Sequence, residues 1–202
     1  MTDLSKLKSW LLAELPSLLL ILALVLAGRS TLADHYYVPS GSMEYTLMPG
    51  DRVFVDKLAY GFRIPFTNID LIGKDVVGRG EVVIFDSPRD GTRLIKRIVA
   101  IGGDTVDLTD GMLTINGKSL ATSEGQSVEL FGDRIAKLNL QDGGGPEVRA
   151  ALIPEGMVLA VGDHRGRSLD GRFFGLVAES DVYGKAVAVY YRRGDGLVWK
   201  GL

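Results

Sequence analysis

Two serines one residue apart, Ser40 and Ser42 in VPSGSMEYTLMPGD (residues 38–51), each carry a hydroxyl that could serve as a nucleophile if something takes its proton. The chain has no cysteine and only two histidines, His35 and His164, so the usual proton acceptor for a serine hydroxyl is scarce. A lysine stripped of water is the known alternative partner. RLIKRIVAI (residues 93–101) supplies one: read as a strand, it puts Leu94, Lys96, Ile98 and Ala100 on one face and Arg93, Ile95, Arg97, Val99 and Ile101 on the other. Among apolar neighbours Lys96 loses hydration, which disfavours its ammonium and brings a neutral amine within reach of a general base near neutral pH. The plainer reading of the same residue is a lysine at a sheet edge that carries its ammonium out to water. His164, in GDHRGRSLDGR, is a rival base; Asp163 orients it only if the two lie in a turn, because adjacent side chains on a strand point apart.

The elements that must position these groups read as strands. RVFVDK (52–57), EVVIFD (81–86), RLIKRIVAI (93–101) and KAVAVYYR (185–192) are short β-branched and aromatic runs bounded by Gly, Pro or Asp. Asn116-Gly117 within MLTINGKSLA (112–121) signals a hairpin. No helical period of useful length follows residue 30, so a mainly β domain in one or two sheets is predicted. Residues 61–80 and 122–150 look like excursions, the second a small subdomain or a long loop in which QDGGGPE (141–147) has the composition of a flexible segment. A chain of 202 residues can bury a real core, and a net charge of −2 speaks against a nucleic-acid partner. Without cysteine there is no disulfide, thiolate zinc site or cysteine nucleophile, and two histidines leave any metal centre to carboxylates. No metal and no cofactor is expected.

Ahead of this domain, Trp10 to Ala27 are 18 residues of which only Glu14, Pro16 and Ser17 are not apolar. As a helix they span roughly 27 Å, close to a bilayer core. Small residues in TLAD (31–34) also fit a cleaved targeting segment, and a buried core helix is the third reading. Leucines on every face argue against the core helix. Lys6 and Lys8 before the run predict an inside N-terminus. The expected order is therefore a cytoplasmic 1–9, a transmembrane anchor 10–28 and an outer domain 29–202, within which 107–155 is a variable subdomain or loop.

Taken together, PSGSM with the following TL and GD, LIKRIVAIGGDTV (94–106) and GDHRGRSLDGRFFG (162–175) resemble the bacterial type I signal peptidases, membrane-anchored serine-lysine endopeptidases. DKLAYGFRIPF (56–66) and GEVVIFDSP (80–88) are similar to further family segments, and the resemblance thins between about 107 and 155. It implies a signal-peptidase-like β-sheet catalytic domain behind one N-terminal transmembrane helix. It implies Ser42 as nucleophile, Lys96 as general base, Ser40 with the Ser42 backbone N–H as oxyanion donors, and Ser168 as the group that orients the lysine. Arg97, Asp163, Asp170 and Arg172 also fall on family positions and are expected to form a supporting ion-pair network. By position, Val38, Met43, Leu47 and Ile95, with Tyr36 further out, would line a shallow pocket for the small residues at −1 and −3 of a signal peptide; ordinary core packing accounts for each of them equally well.

The implied function is removal of signal peptides from exported preproteins at the outer face of the bacterial cytoplasmic membrane. The implied partners are signal peptides and the lipid bilayer, with the chain a monomer. Several residues depart from the family pattern: Tyr45 stands at a common proline, His164, Gly166 and Arg167 replace Asn, Asp and Asn, and Gly171 replaces the serine before Arg172. They leave room for a paralogue serving a restricted secretion or pilus substrate. A self-cleaving serine-lysine protease, or a silent tethered β domain that binds exported chains, are the remaining alternatives.

Overall fold

Blocks of valine, isoleucine and aromatic residues between turn-forming residues become strands because branched side chains pack well on a pleated surface. The computed structural model describes residues 14–21, 33–61, 76–122 and 125–202. Its strands in chain order are β1 (Ala33–Tyr37), β2 (Arg52–Asp56), β3 (Val82–Asp86), β4 (Arg93–Ile101), β5 (Thr105–Thr109), β6 (Met112–Ile115), β7 (Lys118–Ser119), β8 (Ala121–Thr122), β9 (Gly125–Phe131), β10 (Arg134–Lys137), β11 (Val148–Leu152), β12 (Met157–Val161), β13 (Val177–Ala178), β14 (Val182–Arg192) and β15 (Gly196–Gly201). The fold is mainly β, as expected.

The described strands form three sheets rather than one or two. The largest runs β1-β2-β14-β3-β4-β12-β13 with β15 added to β14; a four-stranded sheet runs β11-β5-β6-β7 and a three-stranded one β10-β9-β8. The extra layers exist because the far end of β4 and its neighbour β12 have apolar side chains to cover: Val99, Ala100, Leu159 and Val161 pack with Val106, Leu108, Leu113 and Phe131 from the smaller sheets and with Leu138 and Ile153 beside them. On the large sheet β3 is buried on both faces, Val82 and Ile84 facing one apolar cluster and Val83 and Phe85 the other.

β4 occupies the residues its sequence predicts, but the strict alternation ends at Ile98. Ala100 pairs with Leu159 and Ile98 with Ala160, leaving Val99 as the extra residue of a bulge. Ala100 therefore joins Val99 in one cluster, while Ile101 joins Leu94 and Ile98 in another. Lys96 lies before the bulge and keeps its expected neighbours. The Asn116-Gly117 hairpin forms between β6 and β7 with φ of 52° and 76°, the left-handed pair a tight hairpin turn needs.

QDGGGPE is largely exposed, but two of its glycines are held against neighbouring backbone where its composition suggests flexibility. A Cβ on Gly144 would lie 2.3 Å from the backbone of Asp110 and Gly111, and one on Gly145 would lie 2.5 Å from the Arg165 carbonyl oxygen. These glycines serve close backbone approach. Among the described residues no helix is long and apolar enough to cross a membrane. Of the expected anchor 10–28 only 14–21 are described, as an exposed helical stretch; the rest lies outside the described residues, as does 62–75 of the first excursion.

Candidate active site

Ser42 sits in a turn-rich loop between β1 and β2 and is 9% exposed. The loop is tied at its base, where Val38 N–H donates to Asp51 O and Gly50 N–H to Val38 O, both at 2.9 Å. Met43 and Leu47 plug it into the core beneath. The Asp51 carboxylate accepts the Met48 N–H at 2.9 Å and a two-pronged contact from Arg192 on β14 at 3.0 and 2.6 Å, so the loop is held from the sheet side as well.

Lys96 enters from the middle of β4, between β3 and β12, and is 3% exposed. Its Nζ donates to Ser42 Oγ at 2.8 Å and to the Ile95 carbonyl at 3.0 Å. Burial pushes the amine down from 10.5 to about 8; the negative charges of Asp170 and Asp163 oppose that shift without cancelling it. Ser40 Oγ lies 3.5 Å from Ser42 Oγ.

Ser168 is brought to the same place but makes none of the bonds its resemblance implies. Its Oγ is buried and has no hydrogen-bond partner among the described residues, while Lys96 Nζ is turned to Ser42 and Ile95. Gly162 explains how the groups come so close. A Cβ there would lie 2.2 Å from Ser168 Oγ and 2.5 Å from Ser42 O, so any side chain would drive the two loops apart.

The four charged residues form two buried pairs. Arg97 Nε and Nη2 donate to the Asp163 carboxylate at 2.9 and 2.7 Å, while Nη1 donates to Gly80 O at 2.7 Å and Nη2 to Thr46 Oγ1 at 3.0 Å. Arg172 Nε and Nη2 each donate to Asp170 at 2.8 Å, and Arg172 also reaches the Gly144 and Arg165 carbonyls. Asp170 in turn accepts the Gly162 N–H at 2.9 Å and the Arg172 N–H at the start of the short helix Gly171–Phe174.

With the Asp163 carboxylate held by Arg97 and Thr46, nothing orients His164 toward the serine. The His164 ring bonds instead to Asp142 and Gly41 O, with Glu44 Oε2 also 3.2 Å from Nδ1, so no Ser-His-Asp line forms among the described residues.

Val38, Met43, Leu47 and Ile95 are all at most 4% exposed and share one cluster, on which Tyr36 packs. A separate cleft of about 490 Å³ lies beside Tyr45 and Thr46 and is lined by Arg97, Ile135, Lys137 and Lys200.

Sequence reasoning missed Gly162 and the buried pair Arg165–Glu129, in which Arg165 Nη2 lies 2.6 Å from the carboxylate and neither side chain is exposed. Arg165 Nε also donates to Gly162 O at 3.1 Å, and Glu129 accepts the Leu113 N–H at 2.8 Å. The signal was the alternation of β9: Glu129 shares a face with Phe131, an inward position that a carboxylate occupies only when paired.

A serine hydroxyl within hydrogen-bond reach of a buried, pKa-depressed amine, on a β scaffold, fits the class of serine hydrolases with a lysine base. The family model described as "Signal peptidase, peptidase S26" matches residues 8–191, and the chain belongs to that family. It is 32% identical to the signal peptidase I of Pseudomonas fluorescens, over 84% of this chain and 69% of that one. The signal peptidase I of Haemophilus influenzae is 29% identical over 87% and 68%. A crystal structure of a signal peptidase I from Enterococcus faecalis aligns with 56% of this chain and 98% of that one at 30% identity and a TM-score of 0.40.

Proposed function

We propose that this peptidase removes N-terminal signal peptides from exported preproteins with Ser42 as nucleophile and Lys96 as general base. The observation that carries the reading is the 2.8 Å contact between Lys96 Nζ and Ser42 Oγ at a buried amine with a pKa near 8. When the amine is neutral the same line runs in reverse, and the Ser42 O–H donates to Nζ. Attack on the scissile carbonyl passes the hydroxyl proton to Lys96, which then returns it to the departing amine. The tetrahedral oxyanion is held by the Ser42 backbone N–H and the Ser40 hydroxyl, donors set in place before charge develops. Ser168 supports the lysine once substrate or a rotamer change brings its unpartnered hydroxyl to Nζ. The apolar cluster of Val38, Met43, Leu47 and Ile95, edged by Tyr36, floors a shallow subsite that takes alanine-sized residues at −1 and −3. Arg97–Asp163 and Asp170–Arg172 keep the loops in register around the dyad.

The enzyme works at the outer face of the cytoplasmic membrane, held by residues 10–28, with the substrate's own apolar segment in the same bilayer. The open face of the large sheet supports this placement. Tyr36, Val53, Val55 and Val198 turn to the core, so their alternating neighbours Tyr37, Phe54, Leu197 and Trp199 face away from it. Leu197 and Trp199 are 85% and 72% exposed, an aromatic and apolar surface of the kind found at membrane interfaces.

The test is cleavage of a preprotein with an Ala-x-Ala site by detergent-solubilised chain, beside Ser42→Ala and Lys96→Ala. Both substitutions abolish cleavage if the dyad is right; turnover that survives either one removes it.

A further inference from the structure

His164 stands where the resembling family has asparagine, and its surroundings in this chain are unlike those of a spectator. The ring is 3% exposed. Nε2 lies 2.8 Å from Asp142 Oδ2, and Nδ1 lies 3.2 Å from both Glu44 Oε2 and the Gly41 carbonyl oxygen. The nearest neighbours of both ring nitrogens are therefore oxygen acceptors. A neutral imidazole has one N–H and a lone pair on the other nitrogen; only the imidazolium donates from both.

The competing arrangement has Nδ1 accept from Asn139 Nδ2. That contact is longer, 3.5 Å, than the 3.2 Å at which the same amide nitrogen donates to Glu44 Oε2. It would also leave the Nδ1 lone pair facing two oxygens at closer range.

The other charged groups of the neighbourhood are committed elsewhere: Asp163 to Arg97, Arg165 to Glu129, and Lys96 to Ser42. Among the described residues, Glu44 and Asp142 are the carboxylates that face the ring. They come from different loops. Gly41 and Glu44 bracket Ser42, while Asp142 belongs to the glycine-rich segment that Arg172 fastens through Gly144 O at 2.8 Å. The His164 backbone N–H also donates to Ser42 O at 3.1 Å.

We propose that His164 is a positioning residue of the reaction: as an imidazolium it clasps Gly41 and Glu44, on either side of Ser42, to Asp142 on the facing loop, and so fixes the serine for attack. The role rests on the reading of Ser42 as nucleophile. It acts through the serine loop and not on substrate, so its loss appears in kcat more than in KM.

The experiment compares kcat and KM of the full detergent-solubilised chain with those of Asp142→Asn, Glu44→Gln and His164→Asn, on the same preprotein. Ring 15N spectra of histidine-labelled protein, with His35→Asn leaving His164 alone, read the protonation of each nitrogen at the assay pH. Asp142 is 54% exposed, so Asp142→Asn melts with the wild type and isolates the clasp from folding. The expected result is two protonated ring nitrogens in the parent chain and a fall in kcat of about tenfold for Asp142→Asn and Glu44→Gln, with KM within about twofold. Asp142→Glu recovers part of the loss. Wild-type kcat in both carboxylate variants, or a bare ring nitrogen on His164, overturns the clasp while Ser42→Ala and Lys96→Ala stay inactive. Turnover by Ser42→Ala would instead remove the nucleophile on which the clasp depends.

Discussion

At Lys96 two influences compete for one proton. Removal from water favours the neutral amine, the negative charges of Asp170 and Asp163 favour the ammonium, and burial prevails, leaving the pKa near 8. Only the neutral amine accepts the Ser42 proton, so the sign for catalysis is set: below about pH 8 the active fraction falls about tenfold per pH unit, and above it the fraction levels off. Measured from pH 6 to 8 with chemistry rate-limiting, kcat/KM should rise with the neutral fraction of Lys96; a profile flat across that range would contradict a lysine base. The competition also shows why Asp163 and Asp170 are best matched to arginines. Bidentate contacts from Arg97 and Arg172 draw the carboxylate charges away from Lys96.

Among the elements, β4 was legible to the residue, because a run such as RLIKRIVAI has no competing helical period and ends in turn-forming glycines. The tight hairpin at Asn116-Gly117 was legible for the same kind of local reason. The meeting of Ser42 with Lys96 was legible through the family resemblance; strand alternation alone placed the lysine among apolar neighbours and left open both a lysine reaching out to water and a histidine base. What was not legible depends on partners distant in sequence. The bulge at Val99 reflects how β12 pairs with β4, and it moved Ala100 and Ile101 to clusters that simple alternation does not predict. Gly144 and Gly145 look the same in sequence whether they flex or make room for a neighbouring backbone; only the approach of Asp110, Gly111 and Arg165 decides. Glu129 and Arg165 are 36 residues apart, and nothing local announces that they meet. Because both are fully buried, removing one strands the other's charge. Glu129→Ala should lower stability by about 3–5 kcal/mol, read as a reduced denaturation midpoint with an unchanged slope. A midpoint within error of the parent would mean that the arginine finds water or another acceptor.

For the molecule as a whole, the two faces of the large sheet have different tasks. Over β3 and β4 both are covered by apolar clusters; over β1, β2, β14 and β15 one carries core and the serine loop, and the other is left open with Tyr37, Leu197 and Trp199 exposed. If that face rests on the bilayer, Trp199 lies at headgroup depth. With Trp10→Phe leaving Trp199 as the single tryptophan, lipids carrying a shallow quencher should dim its fluorescence in proteoliposomes of the full chain, and deep quenchers should act less. Equal, weak quenching by both would place the face in water. The small sheets stand apart from this surface yet are wired to the site, since Arg165 spans from Gly162 O beside the dyad to Glu129 on β9. That span carries a consequence for descent. A lineage cannot drift freely at position 129, where every neutralising change leaves an orphaned guanidinium next to the serine loop. Among related chains, 129 and 165 should therefore be inherited as a matched pair, both charged or both apolar, even where the rest of 107–155 has diverged beyond alignment.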